Sequence, residues 1–196
     1  MSGEKASEQG LLSIYFGDEK VGYEEYIWTS YAEGYTLQVR GRIDKPVPLI
    51  LDKLLIRLNK NFIPLEYYFK GTISGFEQEI SSSIDDGFVD NRIYIAGQEQ
   101  KVSVRIKRDA FLLPNSIFSP YMVLSKKYVC SLEEKLDLSA YIIPQLEELF
   151  SLEPSEDSAC SLIIQFNTTS IELETDRTGS LKALFIPSQK IKVIHN

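Results

Sequence analysis

The chain has 196 residues and a formal net charge of −7, from 21 basic and 28 acidic side chains. Hydrophobic residues make up 43% of the sequence, which is enough to form a buried core in one domain of ordinary size. The negative charge argues against a general nucleic-acid binder, because phosphate backbones attract basic surfaces. No run of about 18 apolar residues occurs, so no transmembrane helix is expected.

The first ten residues are polar and predict a flexible N-terminal arm over residues 1–10. Residues 11–196 are predicted to form a single β-rich domain. The polar start has no apolar segment of the kind found in signal peptides, but a mature exported chain would look the same once such a peptide had been removed. The location therefore stays open between the periplasm or exterior and the cytoplasm.

Alternation of apolar and polar side chains predicts strands along the first half of the chain. A hairpin is predicted over Leu11–Trp28, and the clearest alternation follows over Tyr35–Ile43. Pro46 and Pro48 interrupt this pattern, because proline donates no hydrogen bond to a sheet. Residues 49–58 then suit either a strand or a short helix, and a strand is favoured.

Two further strands are predicted over residues 63–70 and 76–84. Asp86–Gly87 predicts a tight hairpin turn, since such pairs adopt the positive φ angles that the turn needs, and Ala96–Gly97 marks another reversal. In the strand that follows, Val102, Val104 and Ile106 are predicted to form a half-buried, core-facing side. The opposite, solvated face is basic and carries Lys101, Ser103, Arg105 and Lys107.

The period changes after Pro114. Ser119, Pro120 and the spacing of the next apolar residues predict one helix near residues 119–129. Residues 139–150 are ambiguous between helix and strand because Pro144 breaks a helix, while the acidic pair that follows is unfavourable in a strand. Strands resume from Leu162 to the C-terminus.

Many strands at hairpin spacing and one helix define the predicted fold class. The class is mainly β: a meandering antiparallel sheet that forms a curved half-barrel or β-roll, with one central helix.

The sequence offers few groups for catalysis or metal binding, and we expect neither an enzyme nor a cofactor. His195 is the only histidine, which argues against catalytic triads, and it is expected to be a solvated terminal residue. Cys130 and Cys160 are too few for a zinc site. They suit a pair of small buried side chains at least as well as a disulfide. The nearest approach to a calcium loop is the set Asp85, Asp86, Asp90 and Asn91, but its spacing does not match an EF-hand and a hairpin turn explains Asp86–Gly87 without an ion.

Aromatic residues in the predicted strands are the candidate ligand-binding residues. Tyr23, Trp28, Tyr67 and Phe69 could line an apolar cavity. The same residue types pack the cores of ordinary sheets, and core packing is the favoured interpretation of these four.

Three segments carry a resemblance to known proteins: Lys20–Tyr26, Ile63–Tyr68 and Gly179–Pro187. They resemble recurring features of uncharacterised bacterial β-rich domains that are similar to lipoprotein-carrier half-barrels. The resemblance spans most of the chain. It implies an exported or envelope protein with a curved sheet around an apolar groove, and a role in holding a lipid or glycolipid.

Two functional hypotheses follow. The first is a non-enzymatic binding module that shelters a lipid, glycolipid or other apolar ligand in a curved sheet. The alternative is a structural or protein-interaction module with a filled core, whose exposed strand edge pairs with a partner. A pocket lined by tyrosine and phenylalanine would favour the first hypothesis, and a filled core with an unpaired edge would favour the second.

Overall fold

A computed structural model describes residues 6–128, 130–144, 146–155 and 160–196. The predicted fold class is confirmed in that the chain is mainly β and the strands meander. In chain order the strands are β1 (Ala6–Phe16), β2 (Glu19–Tyr31), β3 (Gly34–Ile43), β4 (Leu49–Asn59), β5 (Pro64–Ile73), β6 (Phe76–Asp85), β7 (Phe88–Ile95), β8 (Gln98–Arg105), β9 (Phe111–Leu112), β10 (Leu136–Ile142), β11 (Leu146–Pro154), β12 (Leu162–Phe166), β13 (Thr169–Thr175), β14 (Leu181–Ile186) and β15 (Ile191–His195). The described residues include one α-helix, α1 (Met122–Tyr128).

The fifteen strands follow one hydrogen-bonded order, β8-β7-β6-β5-β4-β3-β2-β1-β15-β14-β13-β12-β11-β10-β9. Neighbours from β2 to β8 pair antiparallel, as do neighbours from β10 to β15. The short strand β9 pairs parallel with β10. Consecutive strands from β1 to β8, and again from β9 to β15, are thus neighbours in the sheet, which is the arrangement that hairpin spacing predicts. The exceptions are β8 and β9, which stand at the two ends of the strand order, and β1, which also neighbours β15.

The chain divides into two compact units. The first unit comprises the described residues of Met1–Leu11 and Gly22–Ala110, and the second comprises Leu12–Val21 and Phe111–Asn196. The predicted arm over residues 1–10 differs from the structure, because β1 begins at Ala6. Residues 1–5 of that arm lie outside the described residues.

The first unit is built from hairpins whose alternate side chains fill a core. Leu37 of β3 lies opposite Ile56 of β4, which in turn lies opposite Tyr67 of β5, and Leu37 and Ile56 are fully buried. Each such aliphatic side chain contributes about 1.5 to 3 kcal/mol when it leaves water. The strand favoured over residues 49–58 is therefore confirmed, because its alternate residues supply this core.

The predicted turn at Asp86–Gly87 is also confirmed. Both residues have positive φ, 45° and 81°, and they connect β6 directly to β7. Glycine is needed at position 87, since a Cβ there would lie 2.6 Å from the carbonyl oxygen of Ile106. The second reversal, at Ala96–Gly97, likewise connects β7 to β8.

In the second unit, the predicted helix begins with a 3-10 turn over Ser119–Tyr121 and continues as α1. Position 129, at its predicted end, lies outside the described residues. In the ambiguous stretch over residues 139–150, the described residues belong to β10, to β11 and to the turn between them, in which Pro144 lies. Residue 145 lies outside the described residues. Proline fits there because a turn does not require its missing N–H.

Helix α1 is anchored to the turn before β14 by side chains that reach backbone atoms. The buried Ser125 hydroxyl donates a hydrogen bond to the carbonyl oxygen of Gly179 at 2.7 Å, and Lys126 Nζ donates to the carbonyl oxygen of Thr178 at 3.2 Å. The first bond satisfies the buried hydroxyl of Ser125, and the second, which is exposed, adds a further link between the helix and the turn.

Asp176 organises that same turn. Its Oδ1 accepts hydrogen bonds from the backbone N–H groups of Thr178 and Ser180, at 2.8 and 3.0 Å, and Lys182 Nζ lies 3.4 Å from Oδ2. Partial burial alone would raise the pKa of Asp176, but the hydrogen bonds of Thr178, Ser180 and Lys182 outweigh it and lower the pKa to about 2. The carboxylate is therefore ionised across the physiological range.

Cys130 and Cys160 form a disulfide across a sequence separation of 30 residues. The bridge joins the segment after α1 to the segment before β12. The sequence left this pairing open, and the structure decides it in favour of the bridge.

Candidate functional site

The four aromatic residues singled out from the sequence do not form one site. Trp28, Tyr67 and Phe69 are each only 3 to 4% exposed, because they belong to the core-facing sides of β2 and β5. Tyr23 lies on the opposite side of β2 and is 38% exposed. The strand period explains this separation, since odd and even residues of a strand point to opposite faces.

Trp28 packs within an aromatic stack. Its ring centroid lies 5.4 Å from that of Tyr35 and 6.4 Å from that of Phe62, and the last two rings are 4.5 Å apart. These are the separations of offset aromatic pairs. The contacts account for Trp28 as a packing residue.

Tyr67 and Phe69 occupy neighbouring rows of the same core. Phe69 lies opposite Leu54 and Ile80, and Tyr67 lies opposite Ile56 and Ser82. Burial raises the pKa of the Tyr67 phenol well above its usual range, so the group stays neutral. Both rings are surrounded by the side chains that a filled core requires.

The opposite, outer face of β4–β8 carries a groove of about 680 Å³. It passes over β6, where Ser81 and Ser83 are much smaller than the outward side chains of the neighbouring strands. The residues that line it are Lys53, Leu55, Glu66, Tyr67, Tyr68, Ser81, Ser82, Ser83, Asp90, Asn91, Arg92, Lys101 and Ser103. Of the four aromatic candidates, Tyr67 alone borders the groove, although its side chain, like those of Ser82 and Asn91, is buried on the core-facing side of the sheet.

Most charged side chains around this groove have partners. Glu66 pairs with Arg57 at 3.0 Å, Arg92 pairs with Glu99 at 3.3 Å, and the Ser103 hydroxyl donates a hydrogen bond to Asp90 at 2.5 Å.

The aromatic wall of the groove is Tyr68. Lys53 Nζ lies 5.6 Å from the centre of its ring. Partial burial raises the pKa of the Tyr68 phenol, and a hydrogen bond with Glu79 adds to that rise. Lys101, in contrast, forms no ion pair or hydrogen bond with any residue in the described part of the chain.

Strand β8 ends the sheet and pairs with β7 alone among the described strands. The hydrogen bond that the Ile106 N–H donates to the Gly87 carbonyl, at 2.8 Å, shows which residues of β8 direct their backbone groups towards β7. In an antiparallel pair, alternate residues bond to the partner strand, so the even-numbered residues of β8 bond to β7. The N–H and C=O groups of Glu99, Lys101, Ser103 and Arg105 therefore point to the free edge.

The core-facing side of β8 is exposed as well. Of the three residues that the sequence predicted to face the core, Ile106 is buried and Val104 is half-buried, but the prediction is wrong for Val102, which is 39% exposed. On the same side of neighbouring strands, Ile95 is 40% exposed and Phe76 is 60% exposed. We call Phe76, Ile95 and Val102 the apolar margin.

The acidic cluster that resembled a calcium loop is divided between the two faces. Asp90 lies on the outer face, whereas Asn91 is buried on the other face and accepts a hydrogen bond from Ser82 Oγ at 2.6 Å. Asp86 lies in the hairpin turn and pairs with Arg108 at 3.4 Å. Within the described ranges, no three histidine, cysteine or acidic side chains are grouped to hold a metal ion.

His195, which the sequence placed in a loose terminus, is part of β15 and lies opposite Leu12 of β1. Backbone pairing therefore orders this residue. No helix in the described ranges is long and apolar enough to cross a bilayer.

No protein-family model matches the sequence, and no curated protein sequence matches it. Solved structures of similar fold include the following two. A beta-barrel-like protein of domain of unknown function DUF1849 from Brucella abortus gives a TM-score of 0.56 at 10% identity, over 97% of this chain and 94% of that chain. A DUF1089 family protein from Pseudomonas aeruginosa gives a TM-score of 0.50 at 11% identity, over 94% and 90%.

These likenesses confirm the coarser part of the resemblance found in the sequence. The chain is similar in fold to bacterial β-rich proteins of unknown function. At such low identity the similarity shows the fold alone and carries no residue roles.

Proposed function

We propose that this chain is a non-enzymatic protein-interaction module that binds an extended partner segment along β8. The observation that carries the proposal is the state of that strand, which has one paired neighbour and is exposed on both faces. An unpaired strand edge is a ready template for another strand.

The backbone of β8 favours a peptide partner over other ligands. The outward N–H and C=O groups of its odd-numbered residues alternate along eight residues, roughly 27 Å of strand. Another extended backbone offers donors and acceptors at the matching spacing, whereas an acyl chain offers none. Such a partner would also cover Val102 on the core-facing side.

Selection of peptides is the direct test. A display library of random eight-residue peptides is selected on the wild-type chain, and the enriched peptides are measured against Ser103→Pro and Ser103→Ala. Proline removes the N–H of residue 103 that points to the free edge, and it leaves the hydrogen bonds to β7 intact. Alanine removes the hydroxyl alone.

The enriched peptides are expected to bind Ser103→Ala as they bind the wild type, and to bind Ser103→Pro at least tenfold more weakly. Circular dichroism confirms that both variants are folded. The absence of enriched peptides, or full binding by Ser103→Pro, would contradict docking at this edge.

A second candidate function is the sheltering of a lipid, glycolipid or other apolar ligand, which the resemblance to lipoprotein-carrier half-barrels implies. The apolar margin supports it, because Phe76, Ile95 and Val102 are apolar side chains on the core-facing side that remain in contact with water. The burial of Trp28 and Phe69 supports the interaction module instead, since these rings are already packed.

Native mass spectrometry separates the two functions. The chain is incubated with a total bacterial lipid extract, and a delipidated sample and a Phe76→Ser/Ile95→Ser variant serve as controls. Under the second function, a stoichiometric mass shift appears with the wild type and is lost in the variant. No adduct, while a fatty-acid-binding control protein loads normally, would remove the second candidate.

The disulfide supports a location outside the cytoplasm. Bridges persist in oxidising compartments such as the periplasm and are rare where thiols are kept reduced. Alkylation of free thiols in intact cells before lysis tests this part of the proposal. Complete labelling of Cys130 and Cys160 would place the chain in a reducing compartment.

A further inference from the structure

The outer face of β8 combines a free backbone with a particular set of charges. Its outward side chains are Glu99, Lys101, Ser103 and Arg105, and the backbone groups of these same residues point to the free edge. Any strand that pairs there places its own outward side chains directly beside them. The charges of Glu99, Lys101 and Arg105 therefore act directly on the side chains of the partner strand.

Among the outward side chains of β8, Lys101 is the one without a partner in the described ranges. Glu99 is engaged by Arg92, and Ser103 is engaged by Asp90. Arg105 lies over the ring of Phe88, with its guanidinium carbon 5.2 Å from the ring centre. Lys101 borders the groove, lies opposite Arg92 in the β7–β8 pair, and has no partner in the described ranges.

The two faces of β8 differ in charge. The outer face carries two basic residues and one acidic residue, a formal sum of +1, although the whole chain carries −7. The core-facing side is uncharged, with Gln98, Gln100, Val102 and Val104. A partner strand that suits both faces therefore alternates acidic residues with apolar ones.

We propose that β8 selects an extended segment of another protein in which acidic and apolar side chains alternate. The acidic side chains lie on the groove face and the apolar ones on the core-facing side. Lys101 is the residue that recognises the acidic side chain, by forming an ion pair with its carboxylate. This inference rests on the proposed function. A strand added to β8 lies about 4.8 Å away, so a glutamate opposite Lys101 reaches its ammonium group directly. Arg92, which lies opposite Lys101 one strand further in, is already paired with Glu99, so Lys101 is the cation left to meet the partner's carboxylate.

The test uses two capped, fluorescently labelled eight-residue peptides, one alternating valine with glutamate and the other alternating valine with lysine. Fluorescence anisotropy at low ionic strength measures their affinity for the wild type, for Lys101→Glu and for Lys70→Glu. Lys70 is the matched control, because it is an exposed lysine on the outer face of β5, three strands from the edge. Circular dichroism verifies that both variants fold.

The glutamate peptide is expected to bind the wild type at least fivefold more tightly than the lysine peptide. Lys101→Glu is expected to reverse this preference, and Lys70→Glu is expected to leave it unchanged. Added salt is expected to reduce the preference, because exposed charges are screened.

The outcomes that overturn the inference are distinct from those that overturn the proposed function. Equal binding of both peptides, with Ser103→Pro still abolishing it, would remove acidic selection and retain docking at β8. No binding of either peptide, together with no enrichment from the random library, would remove both. A homodimer that Ser103→Pro dissociates would identify a second copy as the occupant and would also overturn selection of an acidic partner.

Discussion

The two compact units differ in the interactions that stabilise each of them internally. Strands β3–β8 of the first unit have 8 to 11 residues, and strands β10–β15 of the second have 5 to 9. Long ladders pack many alternate side chains against one another, as around Phe69. The shorter strands are supplemented by tethers: the Cys130–Cys160 bridge, the bond from Ser125 to Gly179, and the turn around Asp176. Stability should therefore respond to core truncation in the first unit and to loss of tethers in the second.

The largest effect is expected from Phe69→Ala. Removal of this buried ring leaves a cavity and should lower the free energy of unfolding by about 3 to 5 kcal/mol. Tyr23→Ala is the matched control, because this aromatic side chain is exposed and its loss should cost less than about 1 kcal/mol. Urea unfolding measures both, and hydrogen exchange should quicken most within Gly22–Ala110. Equal costs for the two variants would contradict the placement of Phe69 in the core.

A somewhat smaller effect is expected when the disulfide is removed. A bridge across 30 residues restricts the unfolded chain, and the Cys130→Ser/Cys160→Ser variant should lose about 3 to 4 kcal/mol. Dithiothreitol should bring the wild type to the same stability and leave the variant unchanged. Exchange should quicken most within Phe111–Asn196. A wild type that is indifferent to reductant would show that the tether adds nothing to this unit.

The smallest effect is expected at Asp176. Its pKa in the folded chain, about 2, lies below the ordinary value of 3.8, so its contribution is complete above pH 4 and is lost as the pH falls towards 2. Because its side chain is 33% exposed, Asp176→Asn should cost only about 1 kcal/mol at neutral pH. The wild type should lose this stabilisation on acidification, and the free energy of unfolding of the variant should depend correspondingly less on pH. Asp52→Asn, at an exposed position of β4, is the control and should change neither quantity.

Much of the first unit could be predicted because its signals are local. The alternation over Tyr35–Ile43 and the turn at Asp86–Gly87 each depend on adjacent residues, and the structure contains both. The pairing of Cys130 with Cys160 depends on two segments that meet only in the folded chain. The secondary structure of residues 139–150 was ambiguous for a related reason, since Pro144 argues against a helix but does not indicate where the adjoining strands end.

The candidate site was harder to predict than the fold. The alternation of apolar and polar residues in β8 correctly assigns its side chains to two faces. Alternation does not show whether another element covers the apolar face, and so the prediction for Val102 failed. The groove depends on Ser81 lying between Tyr68 and Arg92, a register that involves three strands. Trp28 and Phe69 were selected as aromatic residues, yet residue type alone does not separate a cavity wall from a packed core.

The bridge between Cys130 and Cys160 gives the maturation of this chain a chemical requirement. Two thiols become a disulfide only when two electrons and two protons pass to an acceptor, so folding alone does not complete the molecule. Chains made with and without an oxidant would share one sequence and differ by one covalent bond in the second unit. The redox conditions under which the protein is prepared therefore determine whether this bond is present in the folded chain.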